Sequence, residues 1–584
     1  MILKSNYPDI KLLETDIFSF LFNRNDRPFP DSKGALVTCE GDHTYLTYCV
    51  VLFLDPDQPT RSYNYQQLKD AAARFAFGLE QDLGIKKGHV IGLVAGNDVD
   101  QPAVIFGSLA CGAILSPINP AYTEAELEHQ LRDSEAQAVI VDRAAFPRAL
   151  KACARVGLPL DKIVLIGPQS AELSMVRHWS SIGEYLIAEK TLPLVPIDCK
   201  NDVAVLVYSS GTTGLPKGVM LTHHNITANT QQTQDFETLT WDGSQSVPNF
   251  KDATRGVGDK ILAVLPFFHI YGLTAMMINP IYTGVLTVVG RSFDLKKWCT
   301  WVQEHQITIG YVVPPIVVQL SKDPIAADYD LSSLRITTCG AAPLSKQLVV
   351  AVYERLGIRI KQGYGMSETA PTLFTMRWGD WNKKSGSAGR LIPNVQAKIC
   401  SINDDDTRDE DVVELEVGST GELYVKGPNV FKGYWKREHA TRESFVDGWF
   451  RTGDIGYVDM DGDLFITDRA KELIKYKGFQ VAPAELEGLL LQNELVRDVA
   501  VVGVNKPELG TEVPRAYIVH RGGPAAVREG DAASIMKWLE SQVVSYKRLR
   551  GGVFFLDEIP RNGSGKILRR ILKDQANRAL QTKL

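Results

Sequence analysis

Residues 203–207, Val-Ala-Val-Leu-Val, make an apolar run of strand length and β-branched content that stops abruptly at Tyr208-Ser209-Ser210-Gly211-Thr212-Thr213-Gly214. A strand feeding a flexible polar loop commits the surrounding chain to a sheet and marks where a ligand can approach. Gly211 and Gly214 let the backbone turn its N–H groups toward an anion, and the hydroxyls of Ser209, Ser210, Thr212 and Thr213 add donors. Lys217 places a positive point charge at the far end. The loop therefore suits a polyphosphate. It is not a Walker A loop, because Lys217 follows Pro216 and precedes Gly218, so the hydroxyl that usually holds magnesium is missing. An exposed Gly/Ser/Thr turn would share this composition, and the loop alone does not separate the two readings.

With 584 residues and 44% hydrophobic content, the chain is long enough for several units with large cores. A formal net charge of −5 supplies no basic field for nucleic acid or lipid, so an anionic ligand must be held locally. The cysteines (Cys39, Cys49, Cys111, Cys153, Cys199, Cys299, Cys339, Cys400) are never two or three residues apart, which argues against zinc knuckles and a disulfide framework and for a reducing compartment. The N-terminus lacks a signal-peptide core, and no apolar run approaches the ~20 residues of a membrane span, so we expect an intracellular protein without one. The final Thr582-Lys583-Leu584 is similar to the Ser-Lys-Leu peroxisomal address with Thr for Ser, which keeps both cytoplasm and peroxisome open.

Helical and strand patterns alternate along the chain. Leu68, Ala71, Ala72, Phe75, Leu79 and Leu83 share a helix face within 65–83, and 90–94 reads as a buried strand. A helix over 103–111, a capping box at Thr123 and Glu126, and a strand over 138–141 continue the α/β pattern. Residues 234–259 lack periodicity and read as a surface excursion, and the acidic run 404–416 reads as a solvated loop. Strands over 261–265 and 334–339 deliver Pro266-Phe267-Phe268-His269-Ile270-Tyr271-Gly272 and Gly340-Ala341-Ala342-Pro343 to loops, where α/β ligand sites gather. Beyond 445 the texture changes to short strands, then a helix from about 483, a strand near 499–502, a helix near 533–543 and a basic helix over 567–573.

Four more motifs follow. In Gln362-Gly363-Tyr364-Gly365-Met366-Ser367-Glu368 the glycines admit a flat base and an acyl group to the backbone, Tyr364 can stack on a purine, and Glu368 can hold Mg²⁺. The plain alternative is a tight turn with a core tyrosine. Arg451-Thr452-Gly453-Asp454 sets a carboxylate on a turn, where it can accept two ribose hydroxyls or simply shape the turn. The cations from Asp468 to Gly478 read alone as a solvated face. Pro560-Arg561-Asn562-Gly563-Ser564-Gly565-Lys566 is a glycine loop ending in a lysine, and Pro560 and Ile567 exclude a Walker A loop there too.

The run 209–219, SSGTTGLPKGV, resembles the AMP-binding signature of the adenylate-forming superfamily. That group takes in acyl-CoA synthetases, aryl-CoA ligases such as 4-coumarate–CoA ligase, beetle luciferases and peptide-synthetase adenylation domains. The other motifs stand in that family's order over residues 60–575. The resemblance implies a large N-terminal α/β domain, 1–470, made of stacked subdomains with a small β-barrel-like part, and a small mobile α+β C-terminal domain, 471–584. It implies an ATP-dependent, AMP-forming carboxylate–CoA ligase with ATP, Mg²⁺ and CoA as ligands and a small carboxylic acid as substrate; the oligomeric state stays open. Ser209, Ser210, Gly211, Thr212, Thr213, Gly214, Lys217, Gly363, Tyr364, Gly365, Ser367, Asp454 and Arg469 would hold nucleotide, Thr213 and Glu368 metal, and Lys566 would catalyse adenylation. Lys471 takes the hinge position, and Lys475, Lys477 and Gly478 match positions facing the site during thioester formation, when CoA binds. His269 would gate and position the acyl group, though it could be only a satisfied core histidine. Tyr271, Ala341, Gly363, Gly365, Pro371 and Thr372 would line the acyl pocket.

Two departures from the plant ligases bear on the acid. Residues 421–427 read GELYVKG where those enzymes typically carry GEICIRG, and Ala370 replaces a Gly whose place would face the pocket, so its methyl should narrow the far end. Alternatives to the CoA ligase are a stand-alone adenylation enzyme that loads a carrier-protein thiol, a luciferase-like oxygenase, and a nucleotide-binding regulatory protein without the reaction.

Overall fold

The computed structural model describes residues 2–24, 51–169, 173–184, 195–209, 216–239, 259–342, 344, 345–384, 386–402, 412–469, 472–476, 479–506, 511–562 and 565–581. Two sheets carry the N-terminal part. One has eight strands, with Val203–Ser209 between its antiparallel return strand Lys217–Thr222 and the parallel strand Ile114–Ile118. Val90–Val94 and Ala136–Asp142 continue it in parallel. The second begins as a parallel set, Lys260–Ala263, Ile309–Val312, Ile336–Cys339 and Ile360–Gly365. At Ile360–Gly365 it changes character, and Thr372–Thr375, Gly389–Leu391, Asp463–Arg469, Trp449–Val458 and Gly421–Lys426 follow antiparallel. This antiparallel half, where a barrel-like part is expected, runs along one open path with no closed barrel among the described residues.

Apolar periodicity explains the helices it marks. Tyr65–Leu83 starts on an Asn64/Gln67 capping box, ends on Gly84 in the left-handed region at φ 64°, and buries Leu68, Phe75, Leu79 and Leu83. Gln101–Ala110 begins two residues before the expected 103, because Pro102 is accommodated in the first turn. The capping box at Thr123 opens Glu124–Ser134. One helix breaks the pattern. His223–Leu239 runs well into the stretch expected to be a surface excursion, and residues 240–258 lie outside the described set. Its buried side chains are largely polar. Asn225 donates to the Pro428 and Val430 carbonyls at 2.8 and 2.9 Å, Asn229 to Thr372 at 2.8 Å, and Gln232 to Pro393 at 2.8 Å. These amides satisfy loop backbone that would otherwise be buried without partners, which an apolar-period rule cannot detect.

The main core ends at Leu464, and a separate one begins at Ile474 with Leu486, Val499, Ile518 and Leu572. That second core lies between a sheet of Val496–Lys506, Thr511–His520 and Val553–Phe555 and the helices Pro483–Leu490, Asp531–Glu540 and Arg569–Gln581. The last helix starts two residues after the expected 567, because Ile567 is held by a bridge to Arg561 across the glycine loop. Among the described residues no helix is long and apolar enough to cross a membrane. Thr582-Lys583-Leu584, Cys39, Cys49 and most of the acidic run lie outside those residues.

We expect Asn225→Leu to cost about 1–3 kcal/mol for each carbonyl it orphans. Denaturant unfolding measures this, and a loss no larger than that of an exposed substitution would refute the bracing role.

Candidate active site

The register of the antiparallel half assembles one side of the site. Asp454 on Trp449–Val458 stands directly opposite Arg469 on Asp463–Arg469, and the Arg469 Nε lies 3.0 Å from Asp454 Oδ1. The other carboxylate oxygen accepts the Tyr364 hydroxyl at 2.6 Å, and the Asp454 N–H donates to Thr452 Oγ1 at 3.1 Å. Burial, then the Asp454 charge, push the Tyr364 phenol far above its ordinary range, so it stays a donor. Gly365 is required by packing, since a Cβ there would fall 1.9 Å from the Pro371 carbonyl oxygen. The turn that follows buries Ser367 and Glu368.

Glu368 faces this group from the first sheet's side. Its Oε1 accepts the Tyr434 hydroxyl at 3.0 Å and lies 3.5 Å from Ser209 Oγ, and among the described residues it has no ion pair. Burial lifts its pKa above the usual carboxylate range, with Tyr434, Arg469 and Lys566 pulling the other way. A buried, under-compensated carboxylate fits a divalent cation chemically. Ser210, Gly211, Thr212, Thr213 and Gly214 lie outside the described residues; Lys217 lies within them, its Nζ 5.3 Å from the centroid of the Tyr434 ring.

Lys566 arrives from the second core. Its backbone N–H donates to Asn562 Oδ1 at 2.9 Å, and Gly565, at φ 82°, packs so that a Cβ would meet Pro315 at 3.4 Å and Val313 at 3.5 Å. Gly565 thus lies against the N-terminal part, and Lys566 interacts electrostatically with Arg469, Asp454, Glu368 and His269. Burial, then Arg469, lower its pKa to about 8. His269 is lowered to about 4 by burial and next by Lys566, so it is neutral at pH 7. Its Nδ1 accepts the Tyr271 N–H at 3.3 Å, which puts the ring proton on Nε2.

Of the expected acyl-pocket residues, Tyr271 donates its hydroxyl to the Thr338 carbonyl at 3.2 Å and sets its ring edge against Tyr311. Ala341 is exposed, and Gly363, Pro371 and Thr372 are half-buried. Ala370 corrects an expectation. It is 0% exposed, at φ 63°, so its methyl is packed inside and does not narrow an open pocket.

Lys471, Lys477 and Gly478 lie outside the described residues, and Lys475 is exposed. Around that segment Arg569 pairs with Glu472 at 2.9 Å and with both oxygens of Glu487 at 2.9 and 3.0 Å. Asp468 accepts the N–H groups of Arg469 and Ala484 at 2.7 and 3.3 Å, and burial raises its pKa to about 7. Asn229, Tyr434 and this Arg569 cluster were missed by motif reading. Only Gly433-Tyr434, a glycine before an aromatic residue, carries a local signal.

A family model described as AMP-binding enzyme matches residues 37–435, and one described as AMP-binding enzyme C-terminal domain matches 485–566. A protein of Dictyostelium discoideum named probable 4-coumarate–CoA ligase 2 is 39% identical over 526 residues, covering 88% of this chain and 90% of its own. The o-succinylbenzoate CoA synthetase MenE of Bacillus subtilis, solved with its acyl-adenylate intermediate, superposes with a TM-score of 0.71 at 26% identity over 90% of this chain and 95% of its own. The anthranilate CoA ligase AuaEII shares the fold at a TM-score of 0.80 and 24% identity, over 98% of this chain and 99% of its own.

An ammonium with a native pKa of about 8, against 10.5 unfolded, makes the unfolded chain the stronger proton binder between those values. The buried charge therefore weakens the fold below pH 8, and that penalty fades as pH rises toward 10.5. Acylation of lysines with acetic anhydride across pH, read by mass spectrometry, should give Lys566 a midpoint near 8 that rises in Arg469→Leu. A midpoint at the ordinary lysine value would refute the placement.

Proposed function

The chain belongs to the AMP-binding enzyme family and is an ATP-dependent, AMP-forming carboxylate–CoA ligase, and from that premise we propose how its residues divide the work. The observation that carries the proposal is the delivery of Lys566 from the second core to the cleft that holds Asp454, Tyr364 and Glu368.

In the first half-reaction a substrate carboxylate oxygen attacks the α-phosphorus of ATP, the new P–O bond forms, and pyrophosphate leaves. Anion approaches anion, so the barrier is mainly electrostatic, and no general base is needed. Asp454, oriented by Tyr364 and Arg469, accepts the ribose hydroxyls. Lys217 and the loop hydroxyls bind the leaving phosphates, and Lys566 lies between carboxylate and α-phosphate. Glu368, with Thr213, would hold Mg²⁺, which supplies charge neutralisation at the phosphates. As the anions bind, they favour the charged form of Lys566 and return it toward its ordinary pKa.

In the second half-reaction the CoA sulfur attacks the acyl carbon, the C–S bond forms as the C–O bond to AMP breaks, and the thiol proton is released to water. We assign this step to a rotation of the C-terminal domain, residues 471–584, about Lys471, which withdraws Lys566 and brings Lys475, Lys477 and Gly478 to the cleft. Neutral His269 positions the carbonyl oxygen of the acyl adenylate with its Nε2–H.

For the acid we propose an aryl or arylalkenyl carboxylate, a class supported by the name of the Dictyostelium relative. Because the Tyr271 proton is committed to the Thr338 carbonyl, its oxygen can only accept from a substrate. Acids with a distal hydroxyl should therefore be preferred over their methoxy counterparts. Tyr271→Phe should erase most of that preference in kcat/KM, whereas an unchanged ratio would remove Tyr271 from the pocket.

Thioester formation across aromatic, medium-chain and long-chain acids tests the substrate class. Lys566→Ala should abolish adenylate formation, read by acid-dependent ATP–pyrophosphate exchange, while sparing thiolation of a supplied acyl adenylate. Lys477→Ala should do the reverse. Equal loss of both half-reactions in either variant would overturn the division.

A further inference from the structure

Between Lys217 and Glu368 stands a side chain to which the reaction so far gives no part. Tyr434 lies on the two-residue strand Gly433–Tyr434, which pairs with the return strand of the phosphate loop, Tyr434 against Val219 and Gly433 against Met220. Flanking bonds from the Lys432 N–H to the Met220 carbonyl, 3.0 Å, and from the Trp435 N–H to the Gly218 carbonyl, 2.8 Å, fix the register. Tyr434 is thereby locked two residues beyond Lys217. Gly433 makes the approach possible, since at φ 140° a Cβ would stand 2.6 Å from the Thr441 methyl, and the Tyr434 N–H donates to Thr441 Oγ1 at 2.9 Å.

The side chain then makes two contacts of different kinds. Its hydroxyl donates to Glu368 Oε1 at 3.0 Å, and its ring lies 5.3 Å from the Lys217 ammonium, within cation–π range. The bracket is braced from outside. Alternation along Val203–Ser209 sends Tyr208 away from the cleft to donate to Asp133 Oδ2 at 2.7 Å, while the next residue, Ser209, reaches Glu368. Arg437, three residues past Tyr434, donates to the other oxygen of Asp133 at 2.5 Å, and Lys436 pairs with Glu135. The strand entering the phosphate loop and the strand carrying Tyr434 are therefore tied to the same helix, Glu124–Ser134.

We propose that Tyr434 is a positioning residue of the adenylation half-reaction, its ring orienting the Lys217 ammonium and its hydroxyl orienting the Glu368 carboxylate, so that the phosphate-side cation and the metal-side carboxylate are held in fixed relation before ATP arrives. A long lysine and a buried glutamate each have several rotamers, and one rigid aromatic ring removes that freedom from both. This rests on the proposed roles of Lys217 and Glu368 toward nucleotide and metal.

Tyr434→Phe removes only the hydroxyl contact, and Tyr434→Leu removes both. In the full-length enzyme, Tyr434→Phe should raise the half-saturating Mg²⁺ concentration in ATP–pyrophosphate exchange by about 3- to 10-fold and leave the ATP KM at saturating metal within about twofold. Mn²⁺ bound in the presence of a non-hydrolysable ATP analogue, counted by electron paramagnetic resonance, should weaken in parallel. Tyr434→Leu should raise the ATP KM as well. Neither variant should change the KM for the acid or thiolation of a supplied acyl adenylate. Wild-type metal dependence and Mn²⁺ affinity in Tyr434→Phe would overturn the proposal. So would a parallel loss of both half-reactions in that variant, the mark of a merely structural tyrosine. Should Lys217→Ala and Glu368→Gln themselves leave exchange intact, the site reading has failed; should they abolish exchange while the Tyr434 variants behave as wild type, only this inference has.

Discussion

The ammonium of Lys566 stands where charge is costly to hold. Burial and the Arg469 guanidinium both push against its proton, and Asp454, Glu368 and Glu472 only partly offset them. Held on a flexible loop in solvent, the same lysine would keep its ordinary pKa but would lack direction. Gly565, beside Val313 and Pro315, supplies that direction, and in the proposed adenylation step the entering carboxylate and phosphates would relieve the electrostatic penalty.

That arrangement depends on where strands end. The eight-stranded sheet brings Ser209 and Lys217 to one rim, and the second sheet brings Tyr364 to the point where it turns from parallel to antiparallel. Cross-strand register then sets Asp454 opposite Arg469. Side chains distant in sequence meet because sheets place strand ends together, as open α/β sheets generally do at such switch points. Loops between these ends still need support, and the polar helix His223–Leu239 gives it through Asn225, Asn229 and Gln232, each bonded to the backbone of a separate segment.

The junction between the cores concentrates charge for a related reason. Arg569, three residues past Lys566 and first in the last helix, pairs with Glu472 and Glu487, which ties that helix to the segment just after Lys471. Asp468, on the last strand of the N-terminal part, instead accepts the Ala484 N–H at the start of Pro483–Leu490. Among the described residues, this bond and the approach of Gly565 to Val313 and Pro315 join two parts that keep separate apolar cores.

Local chemistry was legible in the amino-acid order. The strand over 203–207, the capping box at Thr123, the helix at Pro483 and the glycines that must approach backbone follow from side-chain period, turn stereochemistry and the absence of a Cβ. Asp454 and Lys566 were singled out through the resemblance of their motifs to the adenylate-forming family, since a turn aspartate and a glycine-loop lysine do not by themselves mark a ligand. Long-range polar geometry could not be read. Nothing near Ala370 says that its methyl is buried, nothing in the polar run after His223 says helix, and nothing around Tyr434 says that its two ends meet Lys217 and Glu368. Hydrophobic period reports which face of an element is apolar, but a hydrogen bond or ion pair across 66 or more residues is set by how sheets and helices pack, and only the tertiary structure decided those.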